Sequence, residues 1–168
     1  PPPPAFFFID TATTEIYTLS LLALFRSVGI PDNILLKPGP LTPEEWEIMK
    51  THARLGSEAI ELAEQDATET VEFLSLAKEI AHWHHERWDG SGYPDGLAGV
   101  YIPISARIMA VADVFDALIS NRAYKKPFSY QKSRDIIAAG RGLHFDPDIV
   151  DAFLDHFSAF CEIADRHK

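Results

Sequence analysis

The run His82-Trp83-His84-His85-Glu86-Arg87-Trp88-Asp89-Gly90-Ser91-Gly92-Tyr93-Pro94 sets three imidazoles and two carboxylates against a glycine-rich turn. Imidazole nitrogen and carboxylate oxygen suit divalent first-row metals, and adjacent histidines cost stability unless a cation or a hydrogen-bond network compensates them. The chemistry these residues point to is therefore metal binding, with the turn lying beside the metal. The competing reading is a surface helix end whose histidines complement the macrodipole. That reading explains one histidine more easily than it explains His84-His85-Glu86 joined to this turn.

Other residues could complete such a site. Asp113 and Asp116 stand at i and i+3 in the mostly apolar run 107–118, so they share a helix face. Two carboxylates buried together repel unless a cation or a proton intervenes. Asp113 is assigned to the metal, whereas for Asp116 local capping or pairing with Arg122 is an equal alternative. His52 follows Met49 by three and Ile48 by four, which sets it on or near the buried side of its helix. A buried histidine can be ordinary core, but helical bundles also build metal sites from side chains on different helices.

Helices must position all of these groups. Thr42-Pro43-Glu44-Glu45 opens one: Thr42 caps, Pro43 fits the first turn, and Glu45 at the third helical position completes a capping box. Residues 71–81 have helical apolar spacing, which puts His84 and His85 on the last turn before the chain enters the loop Asp89-Gly90 to Tyr93-Pro94. The stretch Glu58, Glu61, Glu64, Asp66, Glu69 and Glu72 reads as a solvated helix face and linker. Residues 129–139 form another amphipathic helix ended by Gly140 and Gly142. Asp146-Pro147-Asp148 caps a last helix through Val150, Phe153, Leu154 and Phe157.

The pattern from His84 to Pro94 resembles the defining segment of the HD-GYP family, a branch of the HD-domain metal-dependent phosphohydrolases that degrades cyclic di-GMP. The resemblance covers about residues 29–157. Gly29-Ile30-Pro31-Asp32 and Ile34-Leu35-Leu36-Lys37-Pro38-Gly39-Pro40-Leu41-Thr42 are similar to its GIPD and LxKPGxLT segments, and Glu44 to His52 to its EExxxMKxH helix. Downstream, Arg107 to Leu118 resembles RIxxVADVFDAL, Arg122-Ala123-Tyr124-Lys125 resembles RxYK, and Phe145-Asp146-Pro147 closes the pattern. The resemblance implies an all-α, HD-domain-like helical bundle with a GYP loop. It implies His52, His84, His85 and Asp113 as metal ligands, with His84, His85 and Asp113 in the catalytic centre. Arg122 and Lys125 would hold the phosphates or guanine edges of a cyclic dinucleotide, and Tyr93 would lie near the ligand or at a surface for a signalling partner. The metal would be iron or manganese in the first place, with nickel or zinc also suited to these donors.

The chain departs from the family pattern at its name-giving pair. The His-Asp pair should stand six and five residues ahead of the glycine of GIPD, where this chain has Ala23 and Leu24, and a following lysine is replaced by Ser27. Neither Ala23 nor Leu24 can bind a metal, so the site should hold fewer metals than that of a complete family member. Loss of a shared Asp ligand weakens a two-metal site and the activation of water it provides. Two function classes stand open at this point. One is a metal-dependent phosphodiesterase yielding pGpG or GMP, with activity impaired. The other is an inactive module that binds the ligand or a signalling protein.

Composition sets the frame. The 168 residues, 46% of them hydrophobic, suffice for one core, and they contain no long uncharged apolar run of the kind that spans a membrane. Residues 1–20, opening Pro1-Pro2-Pro3-Pro4, read as an extended leader or the remnant of an upstream segment, and residues 21–168 as the domain. The lone Cys161 excludes an internal disulfide, and no signal-peptide pattern opens the chain, so a cytoplasmic location is expected. A net charge of −10 argues against binding polymeric nucleic acid. Arg122, Lys125, Lys126, Lys132 and Arg134 nevertheless make a local patch. On charge alone it is a solvated helix start, and next to a metal motif it suits a small phosphate ligand.

Overall fold

The computed structural model describes residues 29–66, 72–120 and 126–166, so the expectations placed on residues 1–20, Ala23, Leu24, Arg122 and Lys125 lie outside the described residues. The described chain is all-helical, its nearest approach to a strand being an isolated bridge between Arg141 and Phe145. Seven α-helices follow one another: α1 (Asp32–Leu35), α2 (Pro43–Asp66), α3 (Glu72–Trp83), α4 (Ile104–Ile119), α5 (Tyr130–Ala139), α6 (Pro147–Asp155) and α7 (Phe157–Arg166). A single 3-10 turn, Gly99–Tyr101, precedes α4. None of the described helices is long and apolar enough to cross a membrane.

Local signals start the helices where the sequence places them. The Thr42 hydroxyl accepts from the Glu45 amide at 3.2 Å while Glu45 Oε2 accepts from the Thr42 amide at 2.7 Å, the reciprocal capping box that opens α2. Lys37 adds an ion pair to the same Glu45 carboxylate at 2.5 Å. Ser129 caps α5 through the Lys132 amide, and Asp146 caps α6 through the Asp148 amide with Pro147 in the first turn.

α2 and α3 pack antiparallel, since Glu64 bonds Ser75 and Lys78 at one end while Ser57 meets His82 further along. Ile60, Ala77 and Ala81 fill the seam. The larger core lies on the other side of α4, where Ala110, Val111 and Phe115 meet Ile137, Phe145, Val150 and Phe153. Each fully buried Val, Ile or Phe there contributes roughly 1.5–3 kcal/mol. α4 is thus the central helix expected from its apolar run, with Asp113 on its buried side.

The expected last helix is divided. α6 ends at Asp155, His156 leaves helical geometry at φ −107° and ψ 17°, and α7 begins at Phe157. On either side of the break, Phe157 and Phe160 both pack onto Phe115 and Phe153, with ring centroids 4.9–6.1 Å apart.

Arg107 and Asp146 form a largely buried ion pair at 2.5 Å, joining α4 to the head of α6. Asp146 therefore serves two elements, since its other carboxylate oxygen caps α6.

Candidate functional site

Three histidines from two helices meet at one end of the α2–α3 pair. His52 lies in α2 and is 3% exposed, His84 and His85 follow the end of α3, and His84 is 2% exposed. One ligand atom from each of the three lies within 4.8 Å of the other two. Ring centroids are 4.9 Å apart for His52 and His85, 5.7 Å for His52 and His84, and 4.0 Å for His84 and His85.

Backbone carbonyls orient two of these rings. Nδ1 of His52 donates to the Met49 carbonyl at 2.7 Å, and Nδ1 of His84 to the carbonyls of Ile80 at 2.9 Å and Ala81 at 3.1 Å. A ring whose Nδ1 carries the donated proton presents its Nε2 lone pair to a metal, the arrangement by which metal-binding histidines are fixed. Nε2 of His85 lies 3.1 Å from Nε2 of His52. Two nitrogens each about 2.0–2.1 Å from one ion, at angles near 90–110°, stand roughly 2.8–3.4 Å apart. The donor set fits a divalent first-row metal.

His84 and His85 stand just beyond α3 rather than on its last turn. The His84 amide still bonds the Ile80 carbonyl, its ring reaches that same carbonyl and the carbonyl of Ala81, and the Glu86 amide bonds back to Trp83. Asp113 is 8% exposed on α4, and the group of three does not include it. Asp116 accepts from the Ser120 hydroxyl at 3.1 Å, a side-chain bond one turn along its own helix.

The loop after His85 is held by its own carboxylates. Glu86 is 2% exposed, and its Oε1 accepts from the amides of Asp95 at 2.7 Å and Gly96 at 3.0 Å. Burial pushes the Glu86 carboxyl above its ordinary value, against the pull of those amide donors. Asp89 accepts from the amide and hydroxyl of Ser91, which lowers its pKa. The side chain of Asp95 ties the loop to both helices. It accepts from Trp83 Nε1 at 2.8 Å and lies 3.2 Å from His82 Nε2, and Nδ1 of His82 is 2.8 Å from the Ser57 hydroxyl.

This frame delivers Tyr93 onto the histidines. The Tyr93 ring stacks on His85 at 4.8 Å with 29° between planes, and its centroid is 6.4 Å from that of His52. On its other side the ring meets Trp46 of α2 edge-on at 6.1 Å. Sequence reasoning did not assign Glu86, Asp95, His82, Ser57 or Trp46 to these roles. The signal for Glu86 was a carboxylate between a helix end and a glycine turn, where backbone donors need an acceptor.

A family model of the HD domain matches residues 11–149. The chain is 56% identical over 139 residues to a probable cyclic di-GMP phosphodiesterase of Vibrio cholerae serotype O1, covering 83% of this chain and 32% of that protein. It is 44% identical over 159 residues to a cyclic di-GMP phosphodiesterase of Thermotoga maritima, covering 95% and 42%. A 3′3′-cGAMP-specific phosphodiesterase 2 of Vibrio cholerae is 46% identical over 136 residues, covering 81% and 25%. The helical bundle, the histidine group and these matches agree, and the chain belongs to the HD domain family, in its HD-GYP branch. It spans less than half the length of these relatives.

Proposed function

We propose that this chain is a metal-dependent phosphodiesterase domain acting on cyclic di-GMP or a closely related cyclic dinucleotide, giving pGpG or GMP. The convergence of His52, His84 and His85, with ligand atoms within 4.8 Å of one another, carries the reading. The names of the relatives supply the substrate class. In this reading the Nε2 atoms of His52 and His84 and a ring nitrogen of His85 hold a divalent metal, iron or manganese before nickel or zinc, and Asp113 supplies a carboxylate ligand. Such a metal, when bound, polarises a phosphoryl oxygen and lowers the pKa of a bound water. Arg122 and Lys125 hold the phosphates, and Tyr93, fixed against His85, lines the ligand's approach.

Ala23 and Leu24 favour a second reading. A domain without the His-Asp pair holds fewer metals and turns its ligand over slowly or not at all. It then acts by binding the dinucleotide, or a signalling protein through the GYP loop.

Incubating the purified chain with cyclic di-GMP and Mn²⁺ or Fe²⁺, with metal content and released pGpG or GMP both measured, separates the two. Metal-dependent release abolished by Asp113→Ala supports the enzyme. Binding without release supports the module, and the absence of both binding and release in every metal state sinks both nucleotide readings.

A further inference from the structure

We propose that Trp46 is a stacking surface for one nucleobase of the cyclic dinucleotide. The inference rests on the ligand class proposed above and names a residue that this class would use.

Trp46 is 45% exposed, takes part in neither core cluster, and sits in the first turns of α2. Its only ring contact among the described residues is with Tyr93, which itself stacks on His85. A row of rings thus leads from the histidine group through Tyr93 to an indole open to solvent. Two ring contacts, Trp46 to Tyr93 at 6.1 Å and Tyr93 to His85 at 4.8 Å, link the indole to the histidine group.

The surroundings select the chemistry. Lys37 and Lys50, on either side of Trp46, are already paired with Glu45 and Glu47 at 2.5 and 2.8 Å. Glu44 adds a further carboxylate, its pKa lowered by bonds to the helix start, so this end of α2 offers an aromatic face beside negative charge, unsuited to a phosphate and open to a base. The backbone that carries the indole is also held in advance, and the ring meets Tyr93 on one edge. The Trp46 amide bonds the Thr42 carbonyl at 2.8 Å, and the Thr42–Glu45 capping box fixes the turn that carries it. A ring fixed before binding loses little entropy on stacking, and every base has a π-face to offer it.

Isothermal titration of the full 168-residue chain with cyclic di-GMP, with and without added Mn²⁺, tests this without needing turnover. Ribose 5-phosphate, which has the phosphate and sugar but no base, serves as the second probe. Trp46→Leu keeps apolar packing against Tyr93 but removes the stack, and is expected to weaken cyclic di-GMP binding about 5- to 150-fold. Trp46→Phe should retain most of the affinity, and neither change should alter ribose 5-phosphate binding. Unchanged affinity of the Leu variant for cyclic di-GMP overturns the stacking role and leaves the proposed function standing. An equal loss for both probes also overturns it, by showing a general disturbance of the site. A wild-type chain that binds no cyclic dinucleotide in either metal state overturns the function and this inference together.

Discussion

Glu86 Oε1 accepts the backbone N–H of Asp95 at 2.7 Å, nine residues along the chain, and so closes the loop that carries Tyr93. The same oxygen takes the Gly96 amide, so one buried carboxylate satisfies two amides at the loop's far side. Without it those donors lose their partner in the protein, at about 1–3 kcal/mol for each one left buried.

Glu86→Ala is therefore expected to destabilise the fold by that order and to release the loop, whereas Glu86→Gln keeps an oxygen acceptor and costs less. Urea unfolding gives the energies, and amide exchange at Asp95 and Gly96 locates them. Full protection of both amides in the Ala variant would show that the clamp is not what orders the loop.

Gly92 is needed for a different reason. A Cβ placed there would stand 2.4 Å from the Arg87 nitrogen and 2.5 and 2.7 Å from the Cα and carbonyl carbon of Glu86, all backbone atoms that cannot swing aside. Gly92→Ala must displace either the Glu86 backbone or the loop, moving Tyr93 off His85. The expected cost is about 1–3 kcal/mol, as for overpacking elsewhere, together with weaker binding of Mn²⁺ to the histidine group. An Ala variant that matches the wild type in both stability and Mn²⁺ affinity would contradict this account.

The parts of this architecture legible in the sequence are those with a short-range cause. Thr42 and Glu45, Ser129, and Asp146-Pro147 announce helix starts because a cap is satisfied within three residues. His52 is buried, as its spacing to Met49 suggested, although Ile48, the other residue taken to mark that face, is 41% exposed. The bond between Ser57 and His82 spans 25 residues and exists only because α2 and α3 pack antiparallel, so no local pattern announces it. The same holds for the Trp46–Tyr93 contact, which joins the head of one helix to a loop beyond another. The division of the last helix at His156 has no glycine or proline to announce it in an otherwise helical run.

His144 makes stability depend on pH. Burial, aided by the nearby Arg87 charge, lowers its pKa from 6.5 to about 4. Between those values the unfolded chain binds a proton that the folded chain refuses, so the folded state is favoured fully above pH 6.5 and loses ground as pH falls toward 4. Screened by the solvent that reaches part of the ring, the loss attributable to this residue is about 1 kcal/mol by pH 5. The lowered carboxylates Glu45, Glu64, Asp89 and Asp151 start from 4.5 or below, so their contributions are lost in a more acid range. Urea unfolding at pH 7 and pH 5 should show a smaller drop for His144→Gln than for the wild type. Equal drops would remove His144 as the source.

The positions where the family pattern has its His-Asp pair offer a gain-of-function test, because Ala23 and Leu24 supply no metal ligand and the described residues bring together three histidines, to which the proposed function adds Asp113. Four ligands can hold one ion, but two ions that share a water need a bridging carboxylate, and the chain as written lacks the aspartate that the resemblance puts there. The wild-type chain is therefore expected to retain about one equivalent of metal or less after extensive dialysis. The double substitution Ala23→His with Leu24→Asp should raise that content toward two and increase the rate of cyclic di-GMP hydrolysis by at least tenfold, a change of about 1.4 kcal/mol in the barrier. Elemental analysis and product quantification on the same samples read both quantities. Two tightly held metals in the wild type would show that other residues already supply the missing ligands. A double variant that gains metal without gaining turnover would place the defect elsewhere in the site, with Arg122 and Lys125 the first residues to test.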